Sequence, residues 1–251
     1  MRVLILGGSS EASALAQALA GRADVAATLS LAGRTQNPAP SPLPTRVGGF
    51  GGIDGLRRYL VRENVAAVVD ATHPFAAQMS RHAFAACRAQ GVRLLAFSRP
   101  PWPRLPGDDW IDVADTDAAV AALGAAPRRV FLTQGRLRLG AFAAAPQHRY
   151  VLRAIDRPAE IDAMRDARLI LSRGPFRVED EMALMRDEGI EFLVTKNSGA
   201  AATYPKIEGA RRLGVRVVMI GRPELPEVET VFVLDAALRW IEAHLQARSL
   251  A

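Results

Sequence analysis

Three short stretches carry residue types and spacings that could do chemistry. Gly7-Gly8-Ser9-Ser10-Glu11 stands between an apolar run and a helical pattern. Glycines let an anion approach the backbone, and a helix start offers unpaired N–H groups. Gly7, Gly8, Ser9 and Ser10 therefore read as a phosphate cradle. The competing reading is a plain strand-to-helix turn capped by serine, because Ala12 occupies the third glycine position of the dinucleotide fingerprint. Asp70-Ala71-Thr72-His73-Pro74-Phe75 follows another apolar run, and His73 reads there as an acid or as a structural cap. Thr195-Lys196-Asn197-Ser198-Gly199 gathers an ammonium, an amide, a hydroxyl and a glycine, with Lys206 close behind; Lys196 and Lys206 are the two lysines of the chain. Arg136 and Arg173 join them if the two halves of the chain correspond. Such a donor set wants an anionic partner.

A dinucleotide-binding half places an acid about 20 residues past its glycines to hold the ribose 2′-OH. Here Leu31-Ala32-Gly33-Arg34-Thr35 offers no acid. Arg34 and Thr35 suit a 2′-phosphate instead, which points to NADPH, and His73, beyond the end of the third strand, is a candidate acid or nicotinamide contact. Gly48-Gly49-Phe50-Gly51-Gly52 sets four glycines around one aromatic ahead of a helix beginning near Ile53, and a close backbone approach to a ligand explains that density, Gly51 included.

These loops need elements that bring them together. Val3–Leu6, Val25–Leu31, Ala67–Val69, Leu94–Phe97 and Trp110–Val113 read as buried strands of a first half. Ala12, Leu15, Ala16 and Leu19, then Leu56, Tyr59 and Leu60, fall at helical spacing between them. Continuous apolar strands separated by helices imply parallel sheets covered on both faces, with ligands at the carboxyl edge. The chain also matches itself. Gly91–Pro100 resembles Gly214–Pro223, each a strand ending in Arg-Pro, and Val3–Gly8, Ser30–Thr35 and Gly48–Phe50 find counterparts at Val130–Gly135, Arg153–Pro158 and Gly174–Phe176. The expected fold is α/β: two similar Rossmann-like domains with parallel sheets from an internal duplication. The N-terminal domain, 1–125, binds NADPH, and the C-terminal domain, 126–251, faces the substrate. Asn37–Pro44, rich in proline, reads as a loop.

Composition narrows the function classes. No apolar run reaches the roughly 18–20 residues of a membrane helix, and the apolar start is too short for a signal peptide, so a cytoplasmic location is the expectation. Cys87 is the single cysteine, which excludes an intrachain disulfide, and no metal cluster is expected. The net charge of +6 rests almost wholly on arginine. Without a basic run or tail, it points to a polyanionic small molecule rather than nucleic acid.

Taken in order, the sequence resembles the precorrin-6A reductases of corrin biosynthesis. The residues that carry the likeness are Leu6–Ala12, Leu31–Thr35, Arg46–Gly52, Asp70–Ala76, Arg99-Pro100 with Trp102, Arg173–Phe176 and Thr195–Gly199. The resemblance implies NADPH-dependent reduction of one C=C bond of a polycarboxylate tetrapyrrole, with hand-off between neighbouring pathway enzymes. It carries over as functional residues Gly7, Gly8, Ser9, Ser10, Arg34, Thr35, Thr72, His73, Arg99, Lys196, Asn197 and Ser198, the first seven and Arg99 to the cofactor side. Lys196, Asn197, Ser198 and Gly199, with Arg136, Arg173 and Lys206, fall to the substrate side. Lys196, ahead of His73, is the expected proton donor or its organiser. Two alternatives stay open: a reductase of the cobalt-containing macrocycle, and a non-catalytic NADP-binding sensor.

Overall fold

The computed structural model describes residues 1–33, 40–133 and 139–249. In chain order its regular elements are β1 (Arg2–Leu6), α1 (Ser10–Leu19), β2 (Ala26–Leu31), β3 (Thr45–Val47), α2 (Gly52–Arg62), β4 (Ala67–Asp70), α3 (Ala77–Gln90), β5 (Arg93–Phe97), β6 (Trp110–Val113) and α4 (Thr116–Leu123). They continue with β7 (Arg129–Leu132), α5 (Leu139–Ala143), β8 (Arg149–Ala154), β9 (Ala167–Leu171), α6 (Val178–Asp187), β10 (Phe192–Lys196), α7 (Pro205–Leu213), β11 (Arg216–Ile220), β12 (Thr230–Val231) and α8 (Leu234–Ser249).

The strands form two six-stranded sheets of one design. The first runs β12-β5-β4-β1-β2-β3 and the second β6-β11-β10-β7-β8-β9. All the strand pairs are parallel. The expected duplication is therefore visible as topology: each strand of one sheet has a counterpart at the same place in the other.

The first sheet is covered on both faces, as its continuous apolar strands require. Val3 and Ile5 of β1 pack with Leu15 and Leu19 of α1 and with Trp240 and Ile241 of α8. Leu4 and Leu6 point the other way, onto Leu56 and Leu60 of α2 and Ala83 and Cys87 of α3. The α1 and α2 positions picked out by helical spacing are the ones that face these cores. In the second unit Phe131, Val151, Leu193 and Val217 meet Met185 of α6 and Ile207 and Ala210 of α7.

The domain limits differ from the sequence expectation. The compact units are 1–100 with 223–251, and 101–222, not 1–125 and 126–251. Trp110–Val113 is not the fifth strand of the first half. It pairs with β11, Trp110 opposite Val217, and closes the edge of the second sheet. Thr230 and Val231 pair in turn with Ala96 and Phe97 of β5. The two halves thus exchange their last strand and helix. The physical reason is that a short apolar strand satisfies any open parallel edge, so its sequence does not say which sheet it joins. A further edge strand, β3, went unread because Thr45-Arg46-Val47 has no buried position.

Among the described residues, no helix is long and apolar enough to cross a membrane, and no group of three or more His, Cys, Asp or Glu side chains could hold a metal ion.

Candidate functional site

The parallel register brings the loops of the first sheet to one edge. Leu6 lies opposite Ser30 and Asp70, Asp70 opposite Ala96, and Leu31 opposite Val47. Gly7, Ala32, Gly48, Ala71 and Ser98 follow from there.

At the turn after β1, the two glycines do different work. A Cβ at Gly7 would stand 2.6 Å from the Leu29 Cδ1, so this glycine serves packing against β2. Gly8 sits at φ +114° with nothing within 4 Å of the place a Cβ would take. It needs its conformation and faces open space. Ser9 caps α1: its Oγ accepts from the Ala12 amide at 3.2 Å and donates to the Ala71 carbonyl at 2.7 Å. Its hydroxyl is thereby committed to the fold, as the capping reading has it. The Ser10 hydroxyl accepts from Arg99 Nη1 at 3.2 Å, and the same guanidinium nitrogen meets Glu11 Oε2 at 2.5 Å. Glu11, an unwelcome neighbour for a phosphate, is thus neutralised by Arg99. The amides of Gly8, Ser9, Ser10 and Glu11 have no backbone acceptor among the described residues. Together with the α1 dipole they make a fitting seat for a phosphate.

The glycine loop after β3 is organised by a residue whose role the sequence did not reveal. Arg46 donates to the carbonyls of Gly48 and Gly49 at 2.9 and 3.0 Å and to Ser30 Oγ at 2.8 Å, with its guanidinium 3.9 Å from the Phe50 ring centroid. Phe50 in turn meets Tyr59 edge-on. Gly51 lies in the left-handed region at φ +80° and begins α2 without a side-chain cap.

After β4, Asp70 Oδ1 accepts from the Thr72 amide and hydroxyl at 3.1 and 2.7 Å, a closed local turn. His73 Nδ1 accepts from the Phe75 amide at 3.2 Å. An amide donating to Nδ1 matches the ring tautomer that carries its hydrogen on Nε2, the nitrogen left to face a ligand. Arg34 and Thr35 lie outside the described residues.

In the second unit, β10 ends at Lys196, which is half-buried and lies opposite Ile220. The Asn197 side chain behaves like a short strand for the Trp102 backbone: its Oδ1 accepts from Trp102 N at 2.7 Å and its Nδ2 donates to Trp102 O at 3.2 Å. Ser198 is buried, its Oγ accepting from Ala200 N at 3.5 Å, and Gly199 follows at φ +74°. Arg222 holds this loop by donating to the Asn197 and Ser198 carbonyls at 3.0 and 3.1 Å. Arg99 and Arg222, the arginines of the two repeated Arg-Pro pairs, thus each brace a loop at the end of a strand of their own sheet, Arg99 the one after β1 and Arg222 the one after β10. Arg173 is exposed after β9, and Arg136 lies outside the described residues.

Lys206 departs most from its expected place. It is not a surface anchor: the residue is 4% exposed, in the first turn of α7. Arg153 of β8 and Glu181 of α6, both buried, face it. Glu181 gives both oxygens to the Arg153 fork, while Phe176 lies 3.6 Å beneath that guanidinium. Gly209 lets α7 come this close, since a Cβ there would meet Met185 Cε at 3.0 Å and Glu181 Cβ at 3.4 Å. Burial pulls the Lys206 ammonium down to about 7, with Arg153 adding to the effect and Glu181 opposing it. Cys87 is the opposite case, an apolar thiol pushed up to about 12 by burial.

Two parallel sheets of one strand order, with an open glycine turn at a carboxyl edge, define a protein of the doubly wound, Rossmann-like α/β class. The model of the family described as precorrin-6x reductase CbiJ/CobK matches residues 2–242, and the chain belongs to that family of reductases. The precorrin-6A reductase of Rhodobacter capsulatus is 49% identical over 243 residues, covering 97% of this chain and 96% of that one. That of Mycobacterium tuberculosis is 44% identical, covering 96% and 97%. A cobalt-precorrin-6A reductase of Methanothermobacter thermautotrophicus is 28% identical, covering 92% and 80%. The solved structure of a CobK precorrin-6A reductase superposes with a TM-score of 0.91 at 49% identity, covering 97% of each chain.

Proposed function

We propose that this protein reduces one C=C bond of the metal-free macrocycle precorrin-6A, with NADPH as reductant, to give precorrin-6B. What carries the reading is the full-length identity of 49% to a precorrin-6A reductase, against 28% for a relative that takes the cobalt form. Reduced nicotinamide, when bound, supplies the hydride. The amides around Gly8 take the pyrophosphate, and Arg34 with Thr35 takes the 2′-phosphate. His73 offers its Nε2 proton as a hydrogen bond to the nicotinamide amide, and Thr72 shapes the turn that presents it. Lys196, Arg136 and Arg173 meet the carboxylates of the macrocycle, while Asn197, Ser198 and Gly199 hold the loop in shape.

The test is an anaerobic assay of purified protein with precorrin-6A and with its cobalt-loaded form, following nicotinamide oxidation and the spectrum of the macrocycle. Turnover of the metal-free substrate is expected. Preference for the cobalt form moves the protein to the other branch, and cofactor binding with no turnover of either substrate makes it a sensor. The cofactor choice has its own check. A charge-assisted contact is worth about 1.5–3 kcal/mol, so Arg34→Ala is expected to weaken NADPH by roughly ten- to a hundredfold and leave NADH nearly unchanged. Equal loss for the two cofactors in a binding titration removes Arg34 from the 2′-phosphate.

A further inference from the structure

The reduction consumes a proton as well as a hydride, and His73 fits poorly as its source. His73 already accepts the Phe75 amide at Nδ1, so taking up a proton there would break that bond. We infer that Lys206 is the acid that delivers the proton, from the first turn of α7 at the carboxyl edge of the second sheet. The inference rests on the reductase reading.

The geometry is that of an ammonium with no hydrogen-bond or ion-pair partner among the described residues. Lys206 is buried against the Trp102 ring, its Nζ 5.3 Å from the centroid. The charged groups that face it are Arg153 from β8 and Glu181 from α6. Glu181 is consumed by the two-pronged bond to Arg153. The charged neighbours on α7 are likewise engaged elsewhere, Glu208 with Arg212 and Arg211 with Asp108. No described acceptor is bonded to Nζ. A buried cation in this state is easily discharged, which accords with its fall to about 7, and an acid poised near the working pH transfers protons best. Stability alone does not call for such a lysine, since an apolar side chain would fill the place at no electrostatic cost.

The hydride, with its electron pair, forms one new C–H bond on the macrocycle. The displaced π pair on the adjacent carbon takes the proton as a Lys206 N–H bond breaks, leaving the bonding pair on nitrogen. The neutral amine regains a proton from water.

Because the chain has two lysines, lysine-selective isotope labelling of the full protein gives two side-chain signals for NMR titration. One is expected to titrate near pH 7 and to be missing from Lys206→Met. In single turnover with NADPH and precorrin-6A, the wild-type rate is expected to be level at low pH. Above the Lys206 pKa it falls by about tenfold per pH unit, as the acid is lost. Lys206→Met should lose roughly a hundredfold or more at the low-pH plateau and lose the pH limb. Lys206→Arg, a fixed cation, should not restore the rate. Rescue by arginine means that Lys206 is only an anchor and overturns the inference. So does a Lys206→Met protein with the wild-type rate and profile, or wild-type protein in which both lysines titrate above pH 10. If Lys206→Met fails to fold, the wild-type titration and the arginine variant decide. Wild-type protein that does not reduce precorrin-6A sinks the reductase reading itself, whereas turnover with any of the overturning results sinks the role of Lys206 alone.

Discussion

At Gly55 an added Cβ would stand 1.7 Å from the Phe50 carbonyl oxygen, whereas at Gly49 it would meet nothing within 4 Å and φ is not in the left-handed region. The two glycines flank the same loop and make opposite predictions. Gly55→Ala is expected to destabilise the protein by more than about 1–3 kcal/mol, the usual cost of overpacking, read as a lower urea midpoint. Gly49→Val should leave the midpoint in place and weaken NADPH, because only a ligand would feel the new side chain. Normal cofactor affinity in a folded Gly49→Val protein would take this loop out of the binding site. Gly8 is a poorer probe, since its φ of +114° strains any replacement whether or not a ligand is there. Lys206 makes a prediction about stability. An unfolded lysine keeps its proton to about pH 10.4, while the folded protein gives it up near 7. Between those values the unfolded chain binds more protons, so stability rises with pH by at most about 1.4 kcal/mol per unit; below 7 the burial penalty stands in full. Lys206→Met is therefore expected to be more stable than wild type at pH 6, with the gap closing towards pH 10 in urea titrations. Parallel curves would mean that the lysine is not buried as a cation. The sequence singled out residues 7–11, 48–52 and 195–199, but did not show what each side chain does. The cap at Ser9 was legible, but its bond to Ala71 and the pairing of Asn197 with Trp102 were not, because those partners lie 62 and 95 positions away.

The first helix shows how an element makes a site. Its apolar positions, Ala12, Leu15, Ala16 and Leu19, are buried and hold α1 against the sheet, which the helical spacing announced. Its N-terminus is fixed by two side chains, Ser9 from within the turn and Arg99 from the end of β5. Ser9→Ala removes the cap on the Ala12 amide and the donor to the Ala71 carbonyl together. A lost cap costs about 1 kcal/mol, with up to about 2 in tightly ordered sites, and the Ala71 bond adds to it. A drop in the thermal midpoint is expected with NADPH affinity reduced only modestly, because the backbone amides that would hold a phosphate remain. A loss of affinity as large as that of Arg34→Ala would instead make the Ser9 hydroxyl a direct ligand contact. On the other sheet Arg222, the arginine of the second Arg-Pro pair, holds two carbonyls of a different loop, the one after β10. The repeated Arg-Pro pairs were legible as repeats; their bracing role needed the strand order, because only the parallel pairing of β10 with β11 brings residue 222 beside 197.

For the molecule as a whole, the duplication was readable because β1, β2, β4 and β5 and their counterparts keep both sequence likeness and order. The exchange of the last strands was not, because Trp110–Val113 and Thr230–Val231 are too short to carry a preference for either sheet. The distinction has a consequence for which parts of the chain can fold. A fragment of residues 101–222 keeps all six strands of the second sheet, with β6 paired to β11 and Ala119 and Leu123 of α4 buried. A fragment of residues 126–251, the half suggested by the repeat, lacks β6 and α4. It also carries α8, whose Ala237, Trp240 and Ile241 pack on Val3, Ile5 and Leu15 of the first sheet and would be left exposed. Full burial of a single large apolar side chain is worth about 1.5–3 kcal/mol, against a typical domain stability of about 5–15 kcal/mol, so losing several at once removes most of the margin. The 101–222 fragment is accordingly expected to unfold in one cooperative urea transition, and the 126–251 fragment to show none and to bind a hydrophobic dye. Cooperative unfolding of 126–251, with 101–222 unfolded, would mean that the repeat boundary and not the sheet boundary defines the folding unit.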